Sequence, residues 1–165
     1  MKSNQLIHQG EQLLITGNFE AAKDILTDAL LKDPNNPEVY YLLGDTLCKL
    51  NRFEEAITLL RKANRLLPNH PRIIHLLGWV LFMNGETDAS RMLMKKSLTM
   101  DSDNEQIYAD LAVLEMKSNN LNRARHYISL GKKITPNDLI LNKIEVILEN
   151  MVYFSEVTDA KKKFN

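Results

Sequence analysis

Residues able to do acid–base, nucleophilic or metal chemistry are few in this chain, and their spacing is poor for it. Four histidines, His8, His70, His75 and His126, could each act as a base or a metal ligand. A helical metal site needs two of them three or four residues apart, and no pair has that spacing. Cys48 is the single cysteine, so neither an intramolecular disulfide nor a Cys-based zinc site is available. Only Lys49 stands beside it to draw its thiol toward the reactive thiolate, and a small apolar helix residue is the plainer reading. There is no HExxH, no glycine-rich phosphate or dinucleotide pattern and no GxSxG turn. Most Asp and Glu residues fall at helix ends or solvent places. The sequence therefore predicts no catalytic residue, no metal site and no cofactor: not an enzyme.

What remains is binding chemistry, and composition limits its kind. Of 165 residues, 44% are hydrophobic and 25% charged, the balance of a folded domain. Lys+Arg and Asp+Glu both number 21. With no basic excess to displace counterions, nucleic acid is not an expected partner. No apolar run approaches the roughly 20 residues of a membrane span. The first residues, Met1 to Gln5, lead into a polar helical stretch and not an apolar signal core. These features predict a cytoplasmic chain without membrane insertion, folded as one domain over 1–165.

The elements that would position a binding surface repeat at a fixed period. Pro34, Pro68 and Pro136 are 34 and 68 residues apart, and the vacant slot holds Ser102 inside the turn sequence Asp101–Ser102–Asp103–Asn104. Four copies follow, 3–36, 37–70, 71–104 and 105–138, with a segment 139–165 left over. The eighth place reads Gly10, Gly44, Gly78, Ala112; the twentieth Ala22, Ala56, Ser90, Ala124; the twenty-seventh Ala29, Ala63, Ser97, Gly131. Large apolar residues recur at the twenty-fourth place, Leu26, Leu60, Met94 and Ile128. Each copy turns at its middle through Gly17, Asn51, Gly85 or Asn119, residue types that tolerate a left-handed helix end. Apolar spacing of three and four within each half predicts helices near 3–16, 20–33, 37–50, 53–67, 71–84, 87–101, 105–118, 121–134 and 139–152.

Leu43–Gly44, Ala56, Ala63 and Asp33–Pro34–Asn35–Asn36–Pro37 closely resemble the consensus of the tetratricopeptide repeat (TPR) family, in phase over residues 3–138. Departures are Leu6 and Ile74 for the aromatic kept at Tyr40 and Tyr108, Gln9 for a leucine, and Thr87 for an aromatic. The third copy, with Thr87, Ser90, Ser97 and Ser102, is the most degenerate and is expected to be the least stable. The resemblance implies an all-α fold, a right-handed superhelix (α-solenoid) of antiparallel helix pairs with about four repeats and a C-terminal capping helix. One helix pair cannot cover its own apolar face, whereas stacked pairs can. In 139–165, Leu139, Ile140, Ile144, Ile147 and Leu148 continue the period. Glu145 and Glu149 put charge on what would be the cap's outer side. Tyr153 to Glu156 could begin a short tenth helix, and Lys161 to Asn165 reads as a frayed solubilising tail.

In the family, the first helix of each pair lines a concave face that holds the partner. Its places fall here on Asn4, Ile7, His8, Glu11, Leu14 and Ile15, on Glu38, Tyr41, Leu42, Asp45, Cys48 and Lys49, on Arg72, His75, Leu76, Trp79, Phe82 and Met83, on Gln106, Ala109, Asp110, Val113, Met116 and Lys117, and on Lys143, Ile144 and Ile147 of the cap. Tyr41, Leu42, Leu76, Trp79, Phe82, Val113 and Met116 would make an apolar groove. Arg72, Asp45, Asp110 and Lys117 would rim it and His75 would lie beside them. Tyr41 and Phe82, at the fifth and twelfth places, fit the core as well as the groove. The clamp with which some relatives grip acidic chaperone tails would fall on Ile7, Glu11, Leu42, Arg72 and Leu76, of which only Arg72 fits. One repeat later none fits. The resemblance thus implies a protein-interaction scaffold for a peptide or amphipathic helix of another protein. The alternatives are a self-assembling structural scaffold or homo-oligomer, whose acidic first pair enters a neighbour's groove, and a small TPR chaperone of a secretion system. The first pair carries Lys23 and Lys32 against Glu11, Glu20, Asp24, Asp28 and Asp33.

Overall fold

The computed structural model of the chain describes residues 2–162. It is all-α, with nine helices and no strand among the described residues: α1 Ser3–Ile15, α2 Phe19–Lys32, α3 Pro37–Lys49, α4 Phe53–Leu66, α5 Pro71–Met83, α6 Thr87–Met100, α7 Glu105–Lys117, α8 Leu121–Ile134 and α9 Leu139–Lys162. Through α8, helices of 13 and 14 residues alternate. Turns of three residues alternate with turns of four, which together return the 34-residue period. Ends lie within one residue of those the sequence predicts, except in α9.

Local chemistry explains these boundaries. The three-residue turns pass through Gly17 (φ 78°), Asn51 (φ 59°), Gly85 (φ 88°) and Asn119 (φ 58°), the left-handed conformation anticipated at those places. At the longer turns, Asn36 and Asn104 each cap the next helix, their side-chain oxygens accepting from Glu38 N (3.0 Å) and Gln106 N (3.2 Å). Pro37 and Pro71 occupy first helical positions, where a missing N–H costs nothing. Tyr40 and Tyr108 donate their hydroxyls to the turn carbonyls of Pro34 (3.0 Å) and Ser102 (3.1 Å), tying helix to turn identically two periods apart.

The chain forms two compact units, Met1–Ser97 and Leu98–Asn165. In the first, each helix from α1 to α5 packs on the next, and α3 also touches both α1 and α5. The eighth-place glycines make this approach possible. Gly10 lies against Leu26, Gly44 against Leu60 and Gly78 against Met94, and all three large partners are fully buried. The degenerate third copy keeps its close packing by pairing its hydroxyls: buried Ser97 donates Oγ to the Pro71 carbonyl at 2.9 Å, and buried Ser90 points Oγ at Met94 Sδ.

In the second unit, α7, α8 and α9 pack on one another around Ala112, Ala124, Ile128, Leu141, Ile144 and Leu148. Gly131 admits Leu141. Here the structure differs from the expectation for 139–165. α9 does not end near 152 to be followed by a tenth helix but continues to Lys162. No Gly or Pro interrupts 139–162, so nothing stops the ladder. Lys161 and Lys162 thus belong to the helix, while 163–165 lie outside the described residues. Its faces also differ. Leu141, Ile144 and Leu148 are buried, whereas Leu139, Ile140 and Ile147 are exposed. Half-buried Glu145 accepts from Lys132 Nζ of α8 at 2.5 Å, pairing its charge within the unit, while Glu149 is exposed.

Candidate functional site

Within the first unit, α3 and α5 stand side by side and bring two successive sets of groove places together. The Arg72 guanidinium, near the start of α5, lies over the Tyr41 ring of α3 at 4.9 Å from its centroid. That geometry allows a cation–π contact and holds an otherwise mobile cation at a fixed place. One turn further along α3, Asp45 is half-buried. Burial raises its carboxyl pKa above the usual range, while the Lys49 and Arg72 charges act the other way. Tyr41, Asp45 and Arg72 therefore form one coupled polar cluster on this face.

Beside that cluster a cavity of about 300 Å³ opens between the N-terminal ends of α3 and α5 and the end of α4. Tyr41, Leu42, Leu67, Ile73, His70 and Arg72 line it, along with Asn36, Pro37 and Glu38. Its lining combines the apolar Pro37, Leu42, Leu67 and Ile73 with polar and charged side chains. His70 Nδ1 is buried with no hydrogen-bond partner among the described residues. His70 is also the N-cap of α5, yet makes no side-chain cap bond of the kind Asn36 and Asn104 make.

Further along α5, Leu76 and Trp79 are half-buried and pack on the core formed by Leu47, Cys48, Ile57, Leu60 and Leu81. The Trp79 ring meets Phe82 at 5.6 Å and 52°. Phe82 belongs to the buried core, as does Leu42, while Tyr41 is half-buried and touches two core clusters. His75 is half-buried. Cys48 is buried too, and burial, followed by the nearby Asp45 charge, pushes its thiol up to about 11 against the pull of Lys49. Such a thiol is not a nucleophile at neutral pH.

The remaining candidates lie in the second unit. Asp110 is buried and accepts from Gln106 Nε2 at 2.8 Å, one helical turn back. Met116 is buried and Val113 half-buried in that unit's core, and Lys117 is exposed. Ile144, placed on the cap's groove side from sequence, is instead a core residue.

Reasoning from sequence missed Asn36, Pro37, Leu67, His70 and Ile73 as cavity residues. They lie at or beside the inter-repeat turns, outside the first-helix places from which the groove was drawn. The signal available was the 34-residue register itself, which sets His70 where the first and third long turns carry Asn36 and Asn104.

Among the described residues no group of three or more His, Cys, Asp or Glu could hold a metal ion, and no helix is long and apolar enough to cross a membrane. No curated protein matches the chain significantly in sequence. Solved structures do resemble it in fold. MamA of Desulfovibrio magneticus RS-1, from position 41 to its end, superposes with a TM-score of 0.73 at 18% identity, covering 98% of this chain and 96% of that one. YrrB, described as a TPR protein with an unusual peptide-binding site, gives 0.74 at 20% identity, covering 87% and 74%. The Cut9–Hcn1 assembly of the APC/C gives 0.83 at 15% identity, over 90% of this chain but 30% of that one. The tetratricopeptide repeat sequence profile matches residues 13–80 and 81–142. With most of its length in register with that profile, the chain belongs to the tetratricopeptide repeat family.

Proposed function

We propose that the chain is a protein-interaction scaffold that holds a peptide or helical segment of a partner on the α3–α5 face of its first unit. The observation that carries this is the cavity between those helices, with Arg72 pinned over Tyr41 at its rim. A cavity of about 300 Å³ is at the small end of ligand sites and suits one or two apolar side chains. Arg and Tyr are the residue types on which interface energy concentrates. Arg72 lines the cavity and keeps guanidinium donors available beside it. The TPR fold is typical of such scaffolds, and the fold neighbour YrrB is described as having a peptide-binding site.

The test is selection of binders from a displayed random-peptide library, with affinities measured by titration against the sole tryptophan, Trp79. Arg72→Ala and Tyr41→Ala should each weaken the selected peptides by about 2 kcal/mol, near 30-fold, with helicity unchanged. Binders indifferent to both substitutions would overturn the assignment to this face.

A further inference from the structure

We propose that α9 pairs with the α9 of a second copy of this chain, antiparallel, about a two-fold axis between Val146 and Ile147. The exposed face of α9 carries three apolar pairs seven residues apart: Leu139–Ile140, Val146–Ile147 and Tyr153–Phe154. All six side chains are between 48% and 73% exposed. Seven-residue spacing keeps such pairs on one stripe of a helix, the pattern of a helix–helix seam. The opposite face, with Leu141, Ile144 and Leu148, is already used inside the unit.

The stripe is self-complementary in one orientation. Antiparallel pairing centred between Val146 and Ile147 sets Leu139 opposite Phe154 of the other copy, Ile140 opposite Tyr153, and Val146 opposite Ile147. The two polar residues within the stripe, Lys143 and Asn150, then face each other, so the cation meets an amide oxygen. A parallel pair would instead set Lys143 against Lys143, two like charges in an apolar seam. Size also fits. Taking each side chain near the lower end of the roughly 150–250 Å² that aromatic rings offer, the exposed fractions of the six leave on the order of 600 Å² per copy. Full covering of both stripes would bury at most about 1,200 Å², enough to reach the about 1,000 Å² of a specific interface. The same patch on both partners is what a two-fold dimer requires.

The full chain should show, by sedimentation equilibrium, a mass that rises to that of a dimer with concentration. Ile147→Glu and Phe154→Glu, both on the exposed stripe, should each raise the dimer dissociation constant by at least about tenfold without loss of helicity. Orientation is read by cross-linking in a Cys48→Ala background. Leu139→Cys mixed with Phe154→Cys should form an intermolecular disulfide, whereas either alone should not, since like positions would lie about 22 Å apart. A chain that stays monomeric at every concentration, or a dimer untouched by both glutamates, would overturn the proposal. So would cross-linking in the single variants without it in the mixture.

Discussion

Gly44→Ala isolates the contact on which each repeat depends. Alanine at an ordinary helical glycine stabilises by about 0.5–1 kcal/mol, because glycine loses more backbone freedom on folding. At Gly44 the added Cβ would stand 2.6 Å from Leu60 Cγ and 2.8 Å from Cδ2. Cγ is the branch point of a fully buried side chain, so the clash is not relieved by swinging a free end. Overpacking of this kind costs about 1–3 kcal/mol, which cancels the backbone gain of about 0.5–1 kcal/mol and leaves a net loss of up to about 2.5 kcal/mol. For a chain of this size each kcal/mol lowers Tm by about 2–4 °C. Urea unfolding followed by Trp79 fluorescence is the assay, since Trp79 packs on the cluster that contains Leu60. Leu60→Ala in the same background should show the coupling: the double variant should lose less than the two single losses combined, because the new methyl occupies space the leucine vacated. A Gly44→Ala chain more stable than the parent, by the amount expected of an unhindered helix position, would refute the close-approach reasoning.

Three further outcomes follow from other features. Asn51 has φ 59°, so Asn51→Ala should cost about 1–2 kcal/mol while Asn51→Gly costs nothing; equal losses in thermal unfolding would count against a left-handed turn. The Cys48 thiol, pushed up to about 11, should react with a disulfide reagent far more slowly in the folded chain than in urea, about tenfold faster per pH unit until that value is reached; equal folded and unfolded rates at neutral pH would show the site to be open. Asp45 has a folded pKa raised by burial, so the stability it contributes is fully present below its ordinary value of 3.8 and is lost as pH climbs through the raised one. Asp45→Asn should flatten that decline in a series of melts against pH, and an unchanged slope would remove Asp45 as its source.

The repeat was legible because it is written in local chemistry. Gly17, Asn51, Gly85 and Asn119 announce a left-handed residue by type, and Asn36 and Asn104 announce a cap. The eighth and twenty-fourth places pair a small residue with a large one in every copy, so the helix contacts are written in residue type alone. The candidate site was less legible. Tyr41 and Arg72 are 31 residues apart in sequence, and only the packing of α5 on α3 brings them to 4.9 Å. Phe82 and Leu42 share the first-helix places with Arg72 and Trp79, yet they are buried, because neighbouring helices decide which side of a place is covered.

By itself, then, the sequence determined the helices, their turns, the period and the family, all of which rest on residue type and on spacings within a single repeat. Only the tertiary structure decided where the α3–α5 cavity opens and that His70 lies in its wall. It also decided which face of α9 is covered and which apolar stripe is left outward. A period of 3.6 residues says that a helix has an apolar face, but α9 has apolar residues on more than one. Which is buried depends on the partner that meets it: α7 and α8 cover Leu141, Ile144 and Leu148 and leave Val146 and Ile147 in solvent.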